Sequence, residues 1–140
     1  MKKENKMKKT LALSLLTVLI LALTLTACTQ APTGLWKDAT YTEDVTLGEG
    51  SKTATVVIEA EEKSITLTLK TDEEFLGPAL YAEGLVNDPS FFNTVNGMQL
   101  VWEDTHSYWE LRIDGSYATV GAAETPITEG VTYSLVCTKG

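Results

Sequence analysis

The chain has 140 residues, 11 basic and 19 acidic, with a formal net charge of −8, 44% hydrophobic residues and two cysteines. That length suits one domain with an appended segment, and the acidic surplus repels phosphate backbones, which sets nucleic-acid binding aside. The acidic residues are dispersed without long single-sign blocks, the pattern of a solvated surface.

The chain opens Met1-Lys2-Lys3-Glu4-Asn5-Lys6-Met7-Lys8-Lys9 and then runs uncharged from Leu11 to Leu25. A basic start followed by an apolar run is the pattern of an export signal. The run falls short of the ~20 residues that span a bilayer comfortably, and basic residues flank only its N-terminal side, which argues against an uncleaved transmembrane anchor. It ends in Leu25-Thr26-Ala27-Cys28. A small residue before a cysteine, with Leu three positions before it, resembles the lipobox of bacterial lipoproteins. The resemblance implies that residues 1–27 are a signal peptide. It also implies that the Cys28 sulfur carries a diacylglyceryl group, leaving the protein lipid-anchored on the extracytoplasmic face of a cell membrane. The leader holds five of the eleven basic residues and one of the nineteen acidic ones, so the remainder carries −12. With Cys28 lipidated, Cys137 has no intramolecular disulfide partner.

Residues 28–44 contain Thr, Gln, Ala, Pro, Gly and Asp without clear periodicity and read as a flexible tether. The domain then occupies 45–140. Thr53 to Glu59 alternates and is β-branched, Ala60-Glu61-Glu62 turns the chain, and Lys63 to Lys70 places Ile65, Leu67 and Leu69 on one face, which makes a hairpin. A short helix is predicted from Phe75 to Glu83, with Thr71 and Asp72 as caps, Pro78 in its first turn and Gly84 as its stop. Phe91 to Val95 leads into Asn96-Gly97, a two-residue hairpin turn that needs positive φ at both positions, and Met98 to Trp102 returns. Glu103 to Ser107 is a polar loop. Tyr108 to Ile113 is a strand with Trp109, Leu111 and Ile113 toward the core and Tyr108, Glu110 and Arg112 outward. Asp114-Gly115 is a second hairpin turn, Ser116 to Val120 pairs back, and Val131 to Thr138 is the last strand, with Cys137 on the face of Tyr133 and Leu135 as a buried structural thiol. The result is an α+β, β-grasp-like mixed sheet with one packed helix.

Several pieces of this half, in this order, resemble a known family. They are Tyr81-Ala82-Glu83-Gly84-Leu85, Phe92-Asn93-Thr94-Val95-Asn96-Gly97, Ser107-Tyr108-Trp109-Glu110-Leu111-Arg112-Ile113-Asp114-Gly115, Gly121-Ala122-Ala123 and Ile127-Thr128-Glu129-Gly130-Val131-Thr132-Tyr133. Together they resemble the C-terminal domain of transcobalamin and intrinsic factor and the bacterial lipoproteins that carry this domain alone. The likeness covers roughly 52–139. It implies a cobalamin-type (corrinoid) ligand, delivered to a vitamin import system. In the animal carriers a separate helical domain covers the other face of the ligand, and this chain has no such domain.

A flat, largely apolar ring with amide edges needs aromatic contact and a few amide or hydroxyl groups. The candidates near turns are Phe91, Phe92, Asn93, Trp102, Tyr108, Trp109, Tyr117 and Val120, with Gly121 permitting close backbone approach. The same aromatics would serve an interaction or adhesion module that binds a protein or a cell-wall glycan. Catalysis is not expected, since there is no Gly-rich phosphate loop, no Gly-x-Ser-x-Gly elbow and no spaced acid–base pair. His106 beside Glu103 and Asp104 lacks the ligand set of a zinc site, so no metal site and no required cofactor are expected.

Overall fold

The computed structural model describes residues 30–140. The leader 1–27 and Cys28 lie outside the described residues. Strands β1 (Val45–Leu47), β2 (Lys52–Ala60), β3 (Lys63–Thr71), β6 (Ser107–Ile113), β7 (Ser116–Tyr117) and β8 (Thr132–Lys139) form one sheet in the order β1-β3-β2-β8-β6-β7. The long strands β2 and β8 run parallel at its centre, and each is flanked by an antiparallel neighbour. Helix α1 (Leu76–Ala82) crosses over between them, and this is the β-grasp arrangement. A separate two-stranded ribbon joins β4 (Thr94–Val95) to β5 (Met98–Gln99).

Alternation along the strands sorts the residues. On β2 Ala54, Val56, Ile58 and Ala60 are buried, on β3 Ile65, Leu67 and Leu69, and on β8 Tyr133 and Leu135. Leu76, Ala79 and Leu80 of α1 lie over this face with Leu85, Val95 and Met98. Each such side chain contributes roughly 1.5–3 kcal/mol when fully buried. The opposite face carries Thr53, Thr55 and Val57, Thr66 and Thr68, and Val136, all half-buried, with Ser134 buried among them.

The helix starts later than expected and is not capped by Thr71 or Asp72. Its N-cap is Phe75, which makes no side-chain cap bond. Thr71 Oγ1 instead accepts from the Glu73 N–H (3.0 Å), and the first helical N–H, on Leu76, donates to the Thr125 carbonyl (2.8 Å). A Cβ on Gly77 would come within 2.1 Å of the Pro89 carbonyl oxygen and 2.8 Å of the Ala123 amide, so only glycine lets the helix seat there. Gly84 ends the helix at φ +68, as predicted.

Both two-residue turns have positive φ, at Asn96 and Gly97 and at Asp114 and Gly115. The flanking strands are shorter than the sequence pattern suggests. The first ribbon pairs only Thr94–Val95 with Met98–Gln99, and β7 stops at Tyr117. Trp102 opens a single helical turn, α2 (Trp102–Thr105), in place of a loop.

The tether expected over 28–44 is corrected from Pro32 onward, because Pro32–Gly140 forms one compact unit. Gly34–Asp38 is a 3₁₀ turn that buries Trp36, whose indole N–H donates to the Ala60 carbonyl (2.9 Å) under the Lys63 ammonium (4.6 Å). Thr40 donates to the Asn96 carbonyl, and the fully buried Asn96 side chain bonds both the N–H and the C=O of Tyr41 (2.9 and 2.8 Å). Asp44 accepts from the Thr66 amide (2.7 Å). One tryptophan and one buried amide thus hold a segment that has no hydrophobic period of its own.

Candidate functional site

Strand β6 sets one wall of the site. Its register places Trp109 opposite Cys137 on the core side of the sheet and Tyr108 opposite Thr138 on the other side. Just before it, the α2 turn is held by the Val101 carbonyl, which accepts from Asp104 and Thr105. His106 closes that turn in the left-handed region (φ 50). The reversal swings Trp102 back beside Tyr108, with ring centroids 6.5 Å apart and tilted by 50°. The His106 ring also packs on Trp102, at 5.5 Å and tilted by 56°.

The facing wall is the segment before β4. Asp88 Oδ1 accepts from the amides of Ser90 and Phe91 (2.7 and 2.8 Å), which holds its carboxyl below the ordinary 3.8. Asn87 Oδ1 accepts from the amides of Asn93 and Thr94, and Asn87 Nδ2 donates to Asn93 Oδ1 (2.9 Å). These local bonds fix a segment that carries little apolar weight.

Between the walls lies a cleft of about 280 Å³, lined by Phe92, Asn93, Trp102, Tyr108 and Trp109 among the residues singled out from sequence. Trp102 and Tyr108 stay roughly half exposed (49% and 43%), whereas Trp109 is 8% exposed. The Trp109 Nε1–H has no hydrogen-bond partner, the sole such buried side-chain polar atom among the described residues. Leaving a buried donor unpaired costs about 1–3 kcal/mol, and such groups in native proteins call for an explanation, a ligand among them.

Four of the singled-out residues lie elsewhere. Phe91 points away, 92% exposed. Tyr117, Val120 and Gly121 do not line the cleft: Tyr117 pairs with Arg112 on β7, and Val120 and Gly121 follow it in the chain after β7. The cleft thus gathers five of the nine residues. Gly121 has φ −69, and a Cβ there would meet nothing within 4 Å, so its being glycine serves no close approach. Leu100, Val101, Glu103 and Ser107 also line the cleft. The sequence pattern puts Leu100 and Val101 in a returning strand and Glu103 and Ser107 in a polar loop, whereas a helical turn over Trp102–Thr105 intervenes.

Arg112 and Glu110 do not both face solvent. Glu110 is buried, paired with the Arg112 guanidinium, and accepts from the Tyr108 hydroxyl (3.4 Å). Arg112 in turn lies over the Tyr117 ring at 5.4 Å. Desolvation, then the Glu110 charge, pushes the Tyr108 hydroxyl above its ordinary 10.0.

On the other side of Leu100 and Ser107 is a second cavity of about 650 Å³, bounded by Leu35, Asp38, Glu61, Cys137 and Lys139. No unpartnered buried polar atom belongs to it among the described residues. Cys137 is half-buried there, and desolvation raises its thiol above the ordinary 9.0. No group of three or more His, Cys, Asp and Glu among the described residues could hold a metal ion, and no described helix is long and apolar enough to cross a membrane.

The site and fold define a class: a small α+β sheet protein with an aromatic cleft at one strand edge. No family model and no curated protein matches the chain. Among solved structures it is similar to a protein from Ruminococcus gnavus proposed to bind metal, at 24% identity and TM-score 0.59, over 64% of this chain and 99% of that one. That likeness carries the fold.

Proposed function

We propose that this chain is an extracytoplasmic ligand-binding lipoprotein, anchored through lipid on Cys28, whose β6 cleft takes the edge of a corrinoid for delivery to an import system. The observation that carries this is the cleft itself, lined by the half-exposed rings of Trp102 and Tyr108 with Phe92 and with Trp109, whose buried Nε1–H has no partner. A corrin ring edge carries amide carbonyls around an apolar plane. The rings of Trp102 and Tyr108 suit the plane, and the Trp109 N–H and the Asn93 amide suit the carbonyls. A cleft of about 280 Å³ holds only an edge, in keeping with a domain that covers one side of such a ligand.

Corrinoids are coloured, so equilibrium dialysis of the protein against cobinamide and cobalamin tests the proposal. Retained colour that weakens about five- to tenfold in Tyr108→Ala, the worth of one aromatic contact, is the expected result. No retention of either compound would overturn the ligand. For the anchor, Cys28→Ser is expected to abolish membrane attachment, and unchanged attachment would overturn lipidation.

The second reading, a module that binds protein or glycan, draws on Trp102 and Tyr108 standing half exposed.

A further inference from the structure

The outer edge of β6 is open over half its length. Tyr108, Glu110 and Arg112 turn their main-chain groups toward β8, since the ladder continues from the Gly140 N–H to the His106 carbonyl and the partner of Glu110 is Val136. By the period of two, Ser107, Trp109 and Leu111 turn theirs the other way. On that side β7 pairs only with Arg112 and Ile113, followed by one bond from the Ala118 N–H to the Leu111 carbonyl. Among the described residues nothing bonds the Ser107 carbonyl, the Trp109 N–H, the Trp109 carbonyl or the Leu111 N–H. These four groups alternate as acceptor, donor, acceptor and donor over about 10 Å, the pattern that an added strand beside β6 would complete.

Open edges are ordinarily blunted by lysine, proline or a covering loop. Here the edge residues are Ser107, Tyr108, Trp109, Glu110 and Leu111, and the aromatic cleft opens beside them.

We propose that this edge receives an extended peptide segment of a protein partner by strand addition. The residue opposite Trp109 puts its side chain into the cleft, and lysine or arginine flanks it. Backbone pairing supplies the affinity and the cleft the selectivity, as in other edge-binding modules. The basic flank follows from charge. The cleft is lined by Glu103 with Asp104 adjacent, no lysine or arginine lines it, and the chain is −8 overall. A second copy is the poorer occupant, because antiparallel pairing about Trp109 would run the partner's α2 turn into the Asp114-Gly115 turn and β7, with Asp104 against Asp114. The inference uses the cleft described above but not the corrinoid reading.

The test uses the full chain in detergent micelles. The probes are acetylated, amidated seven-residue peptides with lysine at both ends and the five inner positions varied among Thr, Val, Ile, Leu and Phe. The best binder is remade with its backbone N-methylated at the residue facing Trp109, and separately at the next residue, whose N–H points away. The first change is expected to weaken binding at least about tenfold, the worth of one paired amide, and the second less than about threefold. The Trp109 amide is expected to exchange with solvent quickly in the free protein and slowly with peptide bound. Absence of any binder, equal loss from both N-methylations, or a Trp109 amide already protected in the free protein would overturn the proposal. The last result, in a protein that sizes as a dimer, would assign the edge to a second copy. Cobinamide is titrated separately, so peptide binding without colour retention removes the corrinoid reading alone, and the converse removes this inference alone.

Discussion

Asn96 tests how the N-terminal segment is held. Its side chain is fully buried, makes two hydrogen bonds to the main chain of Tyr41, and sits at φ 53 in the turn before Gly97. Asn96→Ala removes both bonds and puts a Cβ residue without a local polar side chain in the left-handed region. Two bonds at about 1 kcal/mol each and about 1 kcal/mol for the backbone give a loss of roughly 3 kcal/mol. Asn96→Gly removes the same bonds without the backbone cost, so it is expected to lose about 2 kcal/mol. Urea unfolding followed by tryptophan fluorescence reads both, since Trp36 lies in the segment that the amide clamps. For a domain of this size the alanine variant should melt about 10–20 °C lower. A loss under about 0.5 kcal/mol in both variants would refute the clamp. Equal losses in the two would refute the backbone part alone.

Three further outcomes follow from the structure. Trp36→Ala should cost about 3–5 kcal/mol in the same unfolding assay, whereas a true tether residue would cost nothing. Asp88 has a depressed carboxyl, so its stabilising effect is present above about pH 4 and is lost as pH falls through its lower folded value. Asp88→Ala should therefore flatten the acid side of the stability–pH curve, and an unchanged slope between about pH 4 and 2 would contradict it. The Cys137 thiol, raised by desolvation, should react with iodoacetamide at pH 8 more slowly than free cysteine, and equal rates would show it to be solvated.

Much of the sheet was legible because its residues obey a local rule. Ile65, Leu67 and Leu69 alternate, Gly84 stops a helix, and Asn96-Gly97 and Asp114-Gly115 admit positive φ, so the period and the turns announce themselves. Trp36 and Asn96 were not legible as a clamp, because their partners, Ala60 and Tyr41, are 24 and 55 positions away. The helix start failed for a similar reason: Thr125, not a nearby side chain, takes its first amide.

At the site, Phe92, Asn93, Trp102, Tyr108 and Trp109 were gathered by type and come together in space. Tyr117, Val120 and Gly121 are near turns in sequence, but β7 pairs Tyr117 with Arg112 and none of the three lines the cleft. Glu110 shows the limit of alternation. It faces away from the core, yet Tyr108 and Arg112 close over it.

In the proposed complex the Trp109 indole N–H, buried and without a partner, finds its acceptor on the ligand. The indole region of a ¹H–¹⁵N spectrum holds one signal for each of the three tryptophans, recorded with and without cobinamide. The Trp109 signal should move downfield on addition, while that of Trp36, already bonded to Ala60, stays in place. A Trp109 signal that ignores cobinamide at saturating concentration would contradict the account.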